Sequence, residues 1–322
     1  MKPRMKFVAF LKGESERQRQ NGHISVANNY RSASNSFTRF LKTCRKPDVS
    51  FTEITPLLIA GYESWLQGDG LCKNTTSFYI RILQAVYHKA VRQGLADDRK
   101  PFVGVYRGVA KTVKRAIDPT EVCQLKALDI RVALEERGYA GKRLENLLRR
   151  LEFARDIFLF CFCARGLTFV DLAHLQKSAI TGSLLVYVRR KTKQRIEVQV
   201  EPMMQEIISR HPSATNYLLP IITKTGDKGT VFQQYRYALS RYNVHLDMLG
   251  EMLGGLRLTS YVSRHSWASA AHQLQVPLSI ISQSMGHDSE KTTEIYLKSL
   301  ECNVINKANH DLLANVFKSE TA

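Results

Sequence analysis

Apolar positions along the chain fall first into helical stripes. After a polar, basic opening through Gln20, the residues Tyr30, Phe37, Phe40 and Leu41 recur at helical spacing and stop at the break from Cys44 to Pro47. A second helix is predicted to run to about Leu66, with Thr55 able to cap it and Pro56 suited to its first turn. A third carries Phe78, Ile82, Val86, Tyr87 and Val91 on one face, with Asn74-Thr75-Thr76 as its expected cap and Gly94 as its stop. These aromatics are expected to be core residues first and base-stacking residues only second.

The pattern then changes. Pro101 to Ile117 has few periodic signals and carries Arg107, Lys111, Lys114 and Arg115, which reads as an extended basic linker. Asp118-Pro119-Thr120-Glu121 has the make-up of a helix start, with Glu121 three residues after the cap. A long helix from about Leu144 to Ala164 should centre a second core, where Cys161 and Cys163 are expected to be buried. From Leu184 to Arg189 and from Arg195 to Val200 the period becomes two, with Arg190-Lys191-Thr192-Lys193-Gln194 turning between them, so a β-hairpin is predicted. Helices resume at Arg264 to Leu274, at Ser279 to Met285 and in a short stretch leading into Tyr296. A final amphipathic stripe runs through Val304, Ile305, Ala308, Leu312, Leu313 and Val316. The expected fold class is mostly α with a small β-hairpin or sheet. It comprises a helical domain over 1–105, a basic linker over 106–117 and a mixed α/β domain over 118–322.

Length supports the division, since 322 residues exceed the roughly 250 at which single cores stop growing. Charge changes the picture more. The formal net charge is +18, and Met1 to Arg115 alone holds 21 Lys and Arg against 8 Asp and Glu. So one-sided a balance points to a polyanionic partner, with the first third supplying most of the phosphate-neutralising surface. The six cysteines include no CxxC pair and no His spacing suited to zinc, so they read as reduced thiols, mostly buried. Phe7 to Leu11 is too short an apolar run for a signal peptide or a membrane span, so a cytoplasmic protein is expected, nucleoid-associated when bound.

Three clusters near the end carry the chemistry: Arg264-His265-Ser266-Trp267-Ala268, Ser284-Met285-Gly286-His287-Asp288 and Thr292-Thr293-Glu294-Ile295-Tyr296. In this order and spacing the chain resembles the tyrosine recombinase (phage integrase) family. That family also places a small basic helical core-binding domain, SAM-like in fold, before a mixed α/β catalytic domain. The resemblance implies that Tyr296 is a nucleophile forming a 3′-phosphotyrosyl bond, which conserves phosphodiester energy and requires neither ATP nor metal. Arginines suit the task because guanidinium binds phosphate oxygens bidentately and never loses its charge. A tyrosine hydroxyl, with a pKa of about 10, needs help to lose its proton, and the leaving 5′ oxygen needs an acid.

Carried over by position, Arg264 would clamp the phosphate and His287, nine residues before Tyr296, would hydrogen-bond it or assist proton transfer. Lys191 would be the hairpin's general acid, with Lys193 as the alternative; Arg190 could equally occupy the groove. Two positions depart from the family pattern. Tyr261 stands where a histidine is usual, able to donate a hydrogen bond but not to act as a base near neutrality. Thr168 stands where the first arginine is usual, and Arg165 lies three residues earlier. An Arg-Gly-x-x-Phe-x-Asp arrangement with that tyrosine is similar to the integrases and DNA invertases of Bacteroides-type bacteria. There Arg165 would reach the phosphate from one turn away, with Asp171 in support. His265 could be a phosphate ligand or a core histidine.

The reading implied is a site-specific recombinase acting on duplex DNA through integration, excision or inversion, its two domains clamping the duplex. It would be a monomer free in solution and a homotetramer on synapsed sites, its final stripe packing on a neighbour, with accessory DNA-bending proteins as further partners and no cofactor. A type IB topoisomerase-like enzyme and a DNA-binding regulator that has lost catalysis are the alternatives. A metal-dependent nuclease lacks the necessary carboxylate and histidine clusters.

Overall fold

In the computed structural model, residues 5–110, 115–287, 289–290 and 293–294 are described. Asp288, Tyr296, Lys111, Lys114 and the stripe from Val304 to Val316 lie outside them. The chain divides into two compact units, 1–112 and 113–322.

Among its described residues the first unit has four α-helices, α1 (Phe7–Gln20), α2 (Ile24–Thr43), α3 (Pro56–Gly68) and α4 (Lys73–Arg92), with a short 3-10 turn at Phe51–Glu53. Thr55 caps α3 as expected, its hydroxyl accepting from the Leu58 amide, and Pro56 occupies the first turn. The core is aromatic: Phe7, Phe37, Phe51, Tyr62 and Tyr87 are buried, and Phe7 meets both Phe37 and Phe51 edge-on. Of the aromatics whose spacing predicted core, Phe37, Phe40 and Tyr87 are buried, while Tyr30 and Phe78 are only partly buried against it.

The start of this unit differs from the sequence expectation. The polar opening is a helix, α1, whose Glu14 is turned inward, 1% exposed, between Arg17 and Lys89. A carboxylate can be buried only when so paired, and Lys89 supplies its charge from α4. The cap of α4 also differs. The helix begins at Lys73, and Asn74 instead exchanges two hydrogen bonds with the backbone of Ala110. Phe102 and Val105 are buried in the same core, so the first part of the predicted linker is packed structure.

The second unit gathers around α7 (Gly141–Cys163), a helix about 34 Å long at 1.5 Å per residue. Before it come α5 (Pro119–Ala127), entered through the predicted capping box of Asp118 and Glu121, and α6 (Ile130–Glu135). After it come α8 (Phe169–Ala173), a three-stranded antiparallel sheet and α9 (Pro202–Arg210). Last are α10 (Lys228–Met252), α11 (Val262–Gln273) and α12 (Leu278–Met285). α6, α9, α10 and α11 all pack on α7, which buries Leu151, Phe158 and Phe160.

The sheet has the order β1-β2-β3, with β1 (Ile180–Thr181), β2 (Leu184–Val188) and β3 (Arg195–Gln199). The hairpin of β2 and β3 is in register with Leu185 opposite Val198 and Tyr187 opposite Ile196. Leu185, Ile196 and Val198 are buried, so one face of the ribbon seals the core while the charged turn projects beyond it. The fold is thus mostly helical with a small antiparallel sheet, as the periodicity indicated. Among the described residues no helix is long and apolar enough to cross a membrane, and no group of side chains could hold a metal ion.

Candidate active site

Three segments of the second unit meet at two carbonyl-rich turns. α7 ends at Cys163, and the chain reverses through Arg165 and Gly166, both in the left-handed region at φ 56° and 72°. A Cβ on Gly166 would lie 3.0 Å from the Arg264 Cα, so glycine lets this turn pass against α11. α12 ends at Gly286, also left-handed at φ 63°. The hairpin turn closes on the same place.

Arg264 is 1% exposed on the first turn of α11. Its Nη1 donates to the Gly166 carbonyl at 2.7 Å, and its Nη2 to the Met285 carbonyl at 2.7 Å and to His287 Nε2 at 2.9 Å. A guanidinium can only donate, so Nε2 is the acceptor and the imidazole proton belongs to Nδ1, which donates to the Thr293 hydroxyl at 2.7 Å. Burial, then Arg264, Arg189 and Lys191, push the His287 pKa down to about 3. The imidazole is accordingly neutral at pH 7. Thr293, three residues before Tyr296 in the sequence, is fully buried, and this bond ties it to His287.

The hairpin adds a second buried cation that sequence reasoning did not single out. Arg189 is 3% exposed, and its Nη1 donates to the carbonyls of Met285 and Gly286 at 3.0 and 2.6 Å. Its Nε lies 3.7 Å from a carboxylate oxygen of Asp171. Thr192 and Gln194 donate to the carbonyls of Gly286 and His287, so the turn is fastened along the whole His287 loop. Strand parity was the available signal: Leu185, Tyr187 and Arg189 alternate onto the inward face of β2.

Asp171, 4% exposed, joins α8 to the hairpin. One oxygen accepts from the Thr168 hydroxyl at 2.6 Å and the other from the Arg190 amide at 2.9 Å. Thr168 also caps α8, so a local helix-start role occupies this position. Arg165 is half-buried at the strained turn beside Gly166 and makes no ion pair among the described residues. Lys191 and Lys193 are exposed in the hairpin turn, where Lys193 takes the left-handed conformation and Lys191 lies within electrostatic reach of His287. Tyr261 is 41% exposed at the entry to α11, its ring 5.3 Å from that of the buried His265. A polar cavity of about 320 Å³ adjoins the hairpin, lined by Asp171, His174, Tyr187 and Arg190 among others.

Comparison with known proteins places the fold. Residues 6–107 match the phage integrase SAM-like domain family. A lambda integrase dimer bound to a COC′ core site superposes with a TM-score of 0.60 at 16% identity, covering 91% of this chain and 77% of that one. The chain has the tyrosine-recombinase fold. A lambda integrase tetramer bound to a Holliday junction gives a TM-score of 0.59 at 14% identity, covering 92% and 78% of the two chains. XerH recombinase in a post-cleavage complex with palindromic difH substrate gives 0.56 at 13% identity, covering 94% of each. No curated protein matches the sequence itself. Within the tyrosine-recombinase fold, the Arg264–His287 pair marks where the α11 and α12 motifs converge.

Proposed function

We propose that this chain is a site-specific DNA recombinase that cuts and rejoins strands through Tyr296. The observation that carries the reading is the bond from Arg264 to His287, buried where α11, the end of α12 and the hairpin turn converge. In this reading the Tyr296 hydroxyl gives its proton to His287 Nε2 as its oxygen attacks the scissile phosphorus. A 3′-phosphotyrosyl bond forms as the bond to the 5′ oxygen breaks, and that oxygen takes a proton from Lys191, or from Lys193 as the alternative. Rejoining runs the same steps in reverse with a 5′ hydroxyl as nucleophile.

Arg264 and Arg165 stabilise the charge on the nonbridging oxygens, and Tyr261 donates a further hydrogen bond. Once protonated, His287 donates from Nε2 to a phosphate oxygen. A phosphate there would oppose the charge of Arg264, Arg189 and Lys191, which after burial holds the His287 pKa down, and so would raise its affinity for that proton. Asp171 holds the Thr168 turn and the hairpin in fixed relation, and His265 supports the entry to α11 from beneath Tyr261. Arg189 is the added element, a positioning residue that locks the lysine-bearing turn to the His287 loop. The Thr168 and Tyr261 departures favour the integrase and invertase branch typical of Bacteroides-type bacteria. Assembly would be a tetramer on two paired sites, reached from monomers with DNA-bending factors assisting.

The test is a suicide DNA substrate carrying the target site. A denaturation-resistant protein–DNA adduct is expected, abolished by Tyr296→Phe while binding persists; an adduct in that variant refutes the nucleophile. Thr168 in place of the first arginine favours a second reading, a DNA-binding regulator, which predicts tight binding with no adduct from the wild-type chain. A type IB relaxing enzyme would form the adduct without exchanging strands between two labelled duplexes.

A further inference from the structure

A cavity of about 300 Å³ lies between α7, α10 and the loop that carries Pro220 and Ile221. None of its lining residues belongs to the proposed catalytic set. Its volume is at the small end of ligand pockets, roughly 300–1,000 Å³, and its walls are mostly aromatic and aliphatic, Phe153, Phe169 and Tyr237 among them. The charged groups that line it are Arg150 and Arg241, with His245 beside them and no Asp or Glu. Arg241 Nη2 donates to His245 Nε2 at 3.3 Å, and neither arginine makes an ion pair among the described residues. Burial, then Arg241 and Arg150, hold His245 down to about 4, so the histidine is neutral and the two guanidiniums face the cavity without a counter-charge.

An apolar hollow with two uncompensated cations at one side is complementary to one chemical class. Aromatic walls take a flat hydrocarbon body, and guanidinium pairs bidentately with carboxylate. We infer that this cavity is a binding site for a small organic anion, an acid group on a compact apolar body, held by Arg150 and Arg241. The inference stands apart from the recombinase reading, since neither binding nor its test involves DNA.

The probes are 2-naphthoate, its neutral amide and acetate, titrated into the full chain by calorimetry. Saturable one-to-one binding of 2-naphthoate is expected, with the amide and acetate each weaker by about tenfold or more. Arg150 is exposed, so Arg150→Gln should leave the melting temperature unchanged. Combined with Arg241→Gln, it should lower naphthoate affinity to that of the amide. Equal binding of acid and amide overturns the charge argument. Equal binding of naphthoate and acetate overturns the apolar one. No saturable naphthoate binding, or an undiminished affinity in the folded double variant, overturns the site.

Discussion

Gly286→Ala tests whether the His287 loop and the hairpin are as tightly joined as their hydrogen bonds imply. Gly286 has φ 63°, a conformation that costs an L-residue roughly 1–2 kcal/mol. A Cβ there would also lie 2.6 Å from Arg189 Cδ, 2.9 Å from Ile196 Cδ1 and 3.2 Å from Gln194 Oε1. Arg189 cannot swing aside cheaply, because its guanidinium is buried between Asp171 and two carbonyls. Overpacking of this kind costs about 1–3 kcal/mol, so the total expected is about 2–5 kcal/mol. With a urea slope of about 2–3 kcal/mol per molar for a unit of this size, the unfolding midpoint should fall by on the order of 1–2 M. The chain has two tryptophans, Trp65 in the first unit and Trp267 on α11, so a Trp65→Phe background makes fluorescence report the second unit alone. Adding Arg189→Ala should recover part of the loss by removing the atom that clashes. A Gly286→Ala midpoint equal to that of the parent would refute the close approach.

His287 and His245, lowered to about 3 and about 4, are neutral when folded but titrate near 6.5 when unfolded. The unfolded chain therefore binds more protons below pH 6.5, and stability should fall as pH drops from about 6.5 towards 4. Denaturant midpoints across that range check this, and His287→Gln should flatten the slope. Asp156, 2% exposed, accepts from Arg210 at 2.7 Å and pairs with His211 at 2.8 Å, joining α7 to the end of α9. Asp156→Ala should cost about 2–4 kcal/mol, somewhat below a fully buried pair because Arg210 reaches solvent; a loss under about 0.5 kcal/mol in urea unfolding would contradict it. Removing the capping box with Asp118→Ala should cost about 1 kcal/mol by the same measurement, and no loss would show the cap to be redundant.

What the sequence made legible followed periodicity and local chemistry. The β2–β3 hairpin alternates cleanly, the capping box at Asp118 is complete within four residues, and α7 buries one long stripe. α1 was illegible because its signal is tertiary: Glu14 looks like a solvent charge until Lys89, 75 residues on, is seen to meet it. The α4 cap was misread because Asn74 has a better partner in Ala110, which no local pattern discloses. In the site, Arg264 and His287 were readable from spaced motifs, and the structure brings them into contact. Arg189 was hidden inside a run of charges, where Arg190 and Lys191 look no different from it.

The two buried guanidiniums assemble this pocket from the protein's own carbonyls and one carboxylate. Arg189 and Arg264 both donate to the Met285 carbonyl, so two like charges converge on one acceptor and repel each other in a region of low dielectric. That repulsion is tolerable only because the carbonyls of Gly166 and Gly286 and the Asp171 carboxylate supply opposing dipole and charge. The compensation is partial: beside burial, which is the larger cause, the charges of Arg264, Arg189 and Lys191 still help to hold the His287 pKa down. In the proposed recombinase reading, an entering phosphodiester would meet a field already of the right sign, so little reorganisation would be needed at the moment charge develops. The same argument assigns the left-handed turns their purpose. Gly166 and Gly286 are where the backbone bends closely enough to aim carbonyls at both cations, and a side chain at either position would push the pair apart.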